Sequence, residues 1–425
     1  MGVIRSLRLP VLLIVGFFFL GNDLKAQSTY KKRVLETIEV DILTSLYTQE
    51  GDNAAVTGGI GTEKLLDFTP TIVISIPLNA DDVLTIDAGI SAYSSASSSN
   101  VNPFDGNGDA DAFVESSGAS GADVLTSALI NYSHSSNDRN TILNGKLSIS
   151  SEYDYFSFGI GSGITKLFNE KNTEVTLSVN AYFDSWSLIY PIELRNNRYR
   201  SATYAPSFTG FNGSARNSYS VGLLIAQILG VNLQGSFSLD LVLQDGLLST
   251  PFQRVYFSDA VDNFVDNFHL ADDIERLPNS RFKVAGGTRL NYYISEVFIL
   301  RTFYRYYQDD WGISSNTAQI ELPISIGDNF TLYPSYRFYN QTKADHFAAY
   351  NQHLSTDEFY TSDYDLSTFK ANQIGFGINY TDLFTDFRIG PIGLKSIDAR
   401  INRYERDSGL SSLIFMLGTK FIIDY

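Results

Sequence analysis

Cysteine is absent from the 425 residues, which removes disulfides, thiolate metal sites, cysteine nucleophiles and lipid anchors on cysteine in one step. Methionine and tryptophan occur twice each, proline 11 times and histidine four times. Any imidazole chemistry therefore has only His134, His269, His346 and His353 to draw on. Positive charge is scarce as well: 31 lysines and arginines face 47 acids, and the net charge of −16 argues against a nucleic-acid partner. Beyond Leu20 no long apolar run occurs, so membrane embedding, if there is any, must use strands with one apolar face.

What the chain has in quantity is aromatic side chains. Its 26 tyrosines and 30 phenylalanines suit strands and the aromatic girdles that flank a membrane-spanning barrel. At the start, Arg5 and Arg8 precede the apolar run Leu9 to Leu20, and Leu24-Lys25-Ala26 offers a small-residue cleavage site before Gln27. This predicts a signal peptide over 1–26 and a single domain over 27–425. The alternative, an N-terminal membrane helix, has too short a run to cross roughly 30 Å of hydrocarbon. At the other end, Leu413, Phe415, Leu417, Phe421, Ile423 and Tyr425 share one face of an extended segment, with Gly418, Lys420 and Asp424 on the other.

The same period-two pattern recurs along the chain. Leu84, Ile86, Ala88, Ile90 and Ala92 oppose Thr85, Asp87, Gly89 and Ser91. Val175, Leu177, Val179, Ala181 and Phe183 oppose Thr176, Ser178, Asn180 and Tyr182, and Phe237, Leu239, Leu241 and Leu243 oppose Ser236, Ser238 and Asp240. Short turn-rich links are expected at 79–82, 135–140, 169–173, 229–232, 294–296 and 327–329, with a longer one at 383–393. Between them fall long loops near 49–69, 95–123, 185–217, 245–279, 308–316 and 341–367. Short turns alternating with long loops predict an all-β fold, a transmembrane antiparallel β-barrel of about 16 strands with a range of 14 to 18. An even count places both termini in the periplasm of a bacterial outer-membrane protein. A soluble β-sandwich would also alternate, but its loops recur at shorter spacing.

The block Tyr30 to Asp41, then Gln49 to Glu63 and Thr69-Pro70-Thr71-Ile72-Val73, resembles an uncharacterised family known as domain of unknown function 3570. Ser91 to Asn100, His134 to Arg139 and Ser151 to Tyr155 extend the resemblance over most of the remaining chain. It implies a bacterial surface barrel of Bacteroidota type and brings no catalytic residues with it.

Choosing the polar face of each strand puts Lys283, Arg289, Arg301, Arg305, Arg337 and Arg400 in the lumen, against Glu39, Asp41, Asp87 and Asp240 elsewhere on the wall. Such walls set up a transverse field in an open pore. In a plugged barrel they pair with each other instead. Asp105, Asn107, Asp109 and Asp111 repeat oxygen ligands at every second position, as half of a calcium loop does, although Ala110 and Ser116 replace its glycine and glutamate. A flexible Gly/Asp loop is the first reading of this segment, so no cofactor is expected, with calcium as the alternative there. His346 and His353 share an acidic loop that offers a second metal candidate. Gly159, Gly161 and Gly163, and Gly375 and Gly377, alternate on strand faces, where they leave room for a plug or let the wall bend. No Gly-x-Ser-x-Gly elbow is present, so the expectation is a non-enzyme: a pore or transport component for small polar solutes. The alternatives are a silent scaffold docking envelope proteins and a barrel-borne hydrolase. Outer-membrane lipid is the expected partner.

Overall fold

The computed structural model describes residues 32–95, 122–195, 197–265 and 268–424. The signal peptide over 1–26, the calcium candidates Asp105, Asn107, Asp109 and Asp111, and Tyr425 lie outside the described residues. Sixteen antiparallel strands form one closed barrel. They are β1 (Ile38–Glu50), β2 (Leu65–Pro77), β3 (Asp82–Ser95), β4 (Ala122–Ser135), β5 (Thr141–Ser151) and β6 (Tyr155–Phe168). Next come β7 (Thr173–Trp186), β8 (Ala215–Gly230), β9 (Leu233–Gly246), β10 (Ser280–Tyr293) and β11 (Ile299–Asp309). β12 (Ser314–Glu321, resuming at Ile324–Ile326) and β13 (Phe330–Leu332, resuming at Ser335–Gln341) are both interrupted, and β14 (Phe369–Thr381), β15 (Ile392–Arg406) and β16 (Ser411–Ile423) complete the wall.

Closure follows from backbone chemistry, because a sheet edge in lipid leaves N–H and C=O groups without partners. β1 removes that edge by pairing with β2 on one side and, from Ile38↔Ile423 to Glu50↔Ser411, with β16 on the other.

The register fixes which side chains face outward. Phe68, Phe156, Phe183, Tyr219, Phe282, Tyr306 and Tyr336 form an exposed aromatic band toward one end of the outer wall, and Tyr132, Phe168, Tyr292 and Phe330 form another toward the opposite end. Ile130, Leu147, Ile160, Val179, Val221 and Leu241 lie between them. An apolar belt between aromatic girdles is the surface an outer-membrane barrel presents to lipid. Leu239 belongs to this face, paired with Leu223 and Gly286, whereas Ser238 pairs with Leu224 and Gly287 on the inner one. A charge at midplane on a lipid face costs about 2–4 kcal/mol. Leu239→Arg is therefore expected to lower the yield of heat-modifiable barrel well below that of Ser238→Arg; equal yields in an outer-membrane assembly assay would reverse the facing.

Connections at one end are the short turns, including the 382–391 hairpin, and each falls where the turn residues predict it. The other end carries the loops. Two of these, residues 152–154 and 407–410, are as short as turns and have no counterpart among the long links expected from sequence.

Prolines explain the two interrupted strands. Pro323 and Pro334 lack an N–H, so β12 and β13 break side by side, with the Leu322 N–H donating to Pro334 O at 3.0 Å. Tyr333 stays attached to the wall through bonds with Gly377 in both directions, 2.8 and 3.1 Å.

Most of the buried apolar core lies in the loops. Leu194, Tyr256, Ala271 and Ile274 make one cluster, and Val255, Phe257 and Tyr360 make another. Arg254, fully buried, donates from Nε to Glu193 at 2.6 Å and from Nη1 to the carbonyl of Val56 at 3.3 Å. The loop holding Val56 follows β1 and the loop holding Arg254 follows β9, half a circumference away, so these contacts carry the loops across the mouth as a cap. Tyr360 donates to Asp273 at 2.7 Å and Thr361 to Glu275 at 2.5 Å, tying in the loop after β13. Gly58 and Gly59 sit at φ +79° and +89°, and a Cβ on Gly58 would strike the Tyr256 ring.

Candidate functional site

Strand register places every lumen candidate in the inward phase. Asp41 pairs with Val73 and Lys420, Asp87 with Val73 and Leu129, and Asp240 with Gly222 and Ala285. Arg289 pairs with Ser236 and Phe303, Arg301 with Asn291 and Glu321, Arg305 with Gly287 and Thr317, and Arg337 with Gln319 and Gln373. Lys283 pairs with Val242 and Asp309, and Arg400 with Gly377 and Met416.

The charges do not divide into one basic and one acidic wall. Glu39 and Asp41 face lysines from neighbouring strands: Lys395 and Lys420 lie 2.8 and 2.6 Å from Glu39, and Lys420 lies 3.5 Å from Asp41. Asp87 on β3, eight strands from β11, is across the lumen from Arg301 and Arg305. Among the arginines, Arg301 and Arg400 share Glu321, at 2.9 and 3.3 Å, and Arg400 also binds Asp398 at 2.9 Å. Glu321 on β12 and Arg400 on β15 are three strands apart, so this bond spans the inside of the wall.

Tyr333, placed by the proline break, carries both guanidiniums on its ring, Arg400 at 4.8 Å and Arg301 at 5.8 Å from the centroid. The glycine pattern on β14 is explained here. A Cβ on Gly377 would press on Arg400 and Tyr333, and one on Gly375 would strike Asn402 and Ser335. On β6, Gly159 accommodates Tyr182 and Ser148, and Gly161 accommodates Lys146 and Asn180. These glycines make room for the side chains that lie across the strand from them.

Arg289, Arg301, Arg400, Asn291, Gln319 and Glu321 line a recess of about 500 Å³ on the inner wall. Arg289 also borders an adjoining recess of about 390 Å³ beside Ser236 and Ser238. Arg305 and Arg337 face inward yet remain exposed, so the space before them is open to water.

Each histidine ring has its own partners. Buried His353 has Nε2 2.9 Å from Thr361 O and Nδ1 3.7 Å from Asp357, while the His346 ring packs on Phe359. His269 stacks between Tyr256 and Phe264, and His134 reaches Asp82 at the turn end. Among the described residues no three potential metal ligands converge.

Sequence reasoning named the arginines and did not name Glu321, Asp398, Tyr333, Asn291 or Phe303. Glu321 and Tyr333 each lie within two residues of a proline that breaks a strand, which is the signal that marks them.

A family model described as a protein of unknown function, DUF3570, matches residues 18–412. No curated protein matches the chain. Among solved structures, a bacterial polysaccharide outer membrane secretin is similar with a TM-score of 0.46 and 11% identity, covering 92% of this chain and 99% of the other. A BenF-like porin from Pseudomonas fluorescens Pf-5 has a TM-score of 0.41 and 9% identity, covering 91% and 98%. OccK2 (OpdF) of Pseudomonas aeruginosa, in complex with glucuronate, has a TM-score of 0.39 and 9% identity, covering 91% and 100%.

Proposed function

The chain belongs to the DUF3570 family of proteins of unknown function, and because membership assigns no activity we propose one from the geometry: a non-enzymatic outer-membrane pore for small polar solutes. Its turns and both termini lie on the periplasmic side, and its loop cap lies outside. The observation that carries this reading is the exposure of Arg305 and Arg337, which face inward and still meet water. A packed plug at that level would have buried or paired them, since unpaired buried charge is costly.

The cap supports a second reading, a silent scaffold, because its loops meet across the mouth through Arg254, Glu193 and Val56. Planar bilayers separate the two. A pore is expected to conduct, with the cap setting its open probability, whereas a scaffold stays silent.

In a conducting barrel, Arg301 and Arg305 attract anions within a Debye length of roughly 8 Å at physiological salt. Replacing both with Gln is expected to move the reversal potential under a salt gradient away from anion preference, without lowering the yield of folded barrel. The Glu321 carboxylate that Arg301 leaves still has Arg400 beside it, so the fold is spared. A reversal potential indifferent to the double change removes these arginines from the conduction path.

A further inference from the structure

The inner-wall recess has an unequal set of partners. Arg301 and Arg400 each have a carboxylate, at Glu321 or Asp398, whereas Arg289 has none among the described residues and rests beside the Phe303 ring, 5.6 Å from its centroid. One register step further along β10, the Oδ1 of Asn291 is buried with no hydrogen-bond partner. A free guanidinium offers a planar fork of donors that matches a carboxylate, and a buried amide oxygen without a donor is missing one. Both line the same cavity of about 500 Å³.

We propose that this recess binds a small hydroxy acid, whose carboxylate sits on Arg289 and whose hydroxyl donates to Asn291 Oδ1. The proposal deepens the pore reading and rests on its water-filled lumen. Inorganic anions answer only half of the site, because chloride and sulfate have no hydrogen to give Asn291. Uncharged polyols answer only the other half. Glu321 and Asp398 leave the cluster of three arginines with a single excess positive charge, which suits a monocarboxylate. Phe303, which also lines the recess, supplies flat apolar surface for the carbon chain.

The test is calorimetric titration of the purified barrel in detergent with three probes: gluconate, glucitol and hexanoate. Glucitol keeps the hydroxyls without the carboxylate, and hexanoate keeps a carboxylate without hydroxyls. Gluconate is expected to bind tightest. Arg289→Gln is expected to weaken gluconate about tenfold or more, the scale of a hydrogen bond to a charged group. Asn291→Leu is expected to weaken gluconate about threefold or more while leaving hexanoate unchanged. Heat-modifiability of each variant confirms that the barrel is folded, and Arg289→Lys, which keeps the charge and loses the fork, is expected to fall between wild type and Arg289→Gln. Gluconate binding no tighter than glucitol, or indifferent to Arg289→Gln in a folded barrel, overturns the site. Conductance of the same preparation keeps the two readings apart. A conducting barrel without gluconate binding loses the site and keeps the pore, whereas binding by a silent barrel keeps the site and removes the pore.

Discussion

Removal of Phe421–Tyr425 is expected to leave no folded, heat-modifiable barrel in the outer membrane. Phe421, Ile422 and Ile423 pair with Val40, Glu39 and Ile38 on one flank and with Leu394, Gly393 and Ile392 on the other. Their loss opens the seam at the turn end on both sides at once. Each backbone group left facing hydrocarbon without a partner costs several kcal/mol, and no water is there to replace the lost bonds. The removed segment also takes Phe421 and Ile423 from the lipid-facing row that runs on through Leu417, Phe415 and Leu413. The measurement is the folded fraction by gel mobility with and without heating, together with recovery from the outer-membrane fraction. A normal yield in both would show that the barrel closes without this strand end.

Strand facing was legible because it depends on neighbours in sequence. Ile86 beside Asp87, Val179 beside Asn180 and Leu239 beside Asp240 state the two sides of the wall locally, and turns such as Gly327-Asp328-Asn329 carry their own conformational signal. The pairing of lumen charges was not legible in the same way. Phase puts Arg400 inward, but only barrel curvature brings it from β15 to Glu321 on β12. The cap was the least visible part of all. Its central contact joins Arg254 to a glutamate 61 residues away and to a carbonyl 198 residues away, in three loops that no local sequence pattern links. A residue such as Glu193 in a loop carries no local mark that it will be buried.

That buried pair carries the other large effect. Glu193→Gln leaves Arg254 charged inside the cap, and removing one member of a buried pair costs about 3–5 kcal/mol. The expected result is fast hydrogen exchange across residues 187–214 and 247–279, corrected for intrinsic rates, with the strands still protected and the barrel still heat-modifiable. In a conducting barrel the open probability rises with it. A second lever acts on the same cap through pH. Burial pushes the Glu275 carboxyl up to about 8, with the nearby Asp363 adding to the rise, and burial pushes Asp363 itself up to about 7, helped by Asp365. An unfolded carboxylate titrates near 4, so the closed cap holds protons that the opened cap releases. The stabilisation is therefore complete below about pH 4 and is lost as pH rises through 7 and 8. Once corrected for intrinsic rates, exchange of the cap loops is expected to be slower at pH 5.5 than at pH 8.5, and Glu275→Gln, which removes the titration and keeps one of the two oxygens that accept from Thr361 Oγ1 and the Thr250 N–H, is expected to flatten much of that difference. If the wild-type profile is flat while Glu193→Gln still loosens the loops, the ion pair holds the cap and the raised carboxylates do not gate it. If the profile slopes and Glu275→Gln removes the slope, proton release at the base of the cap is what opens the mouth.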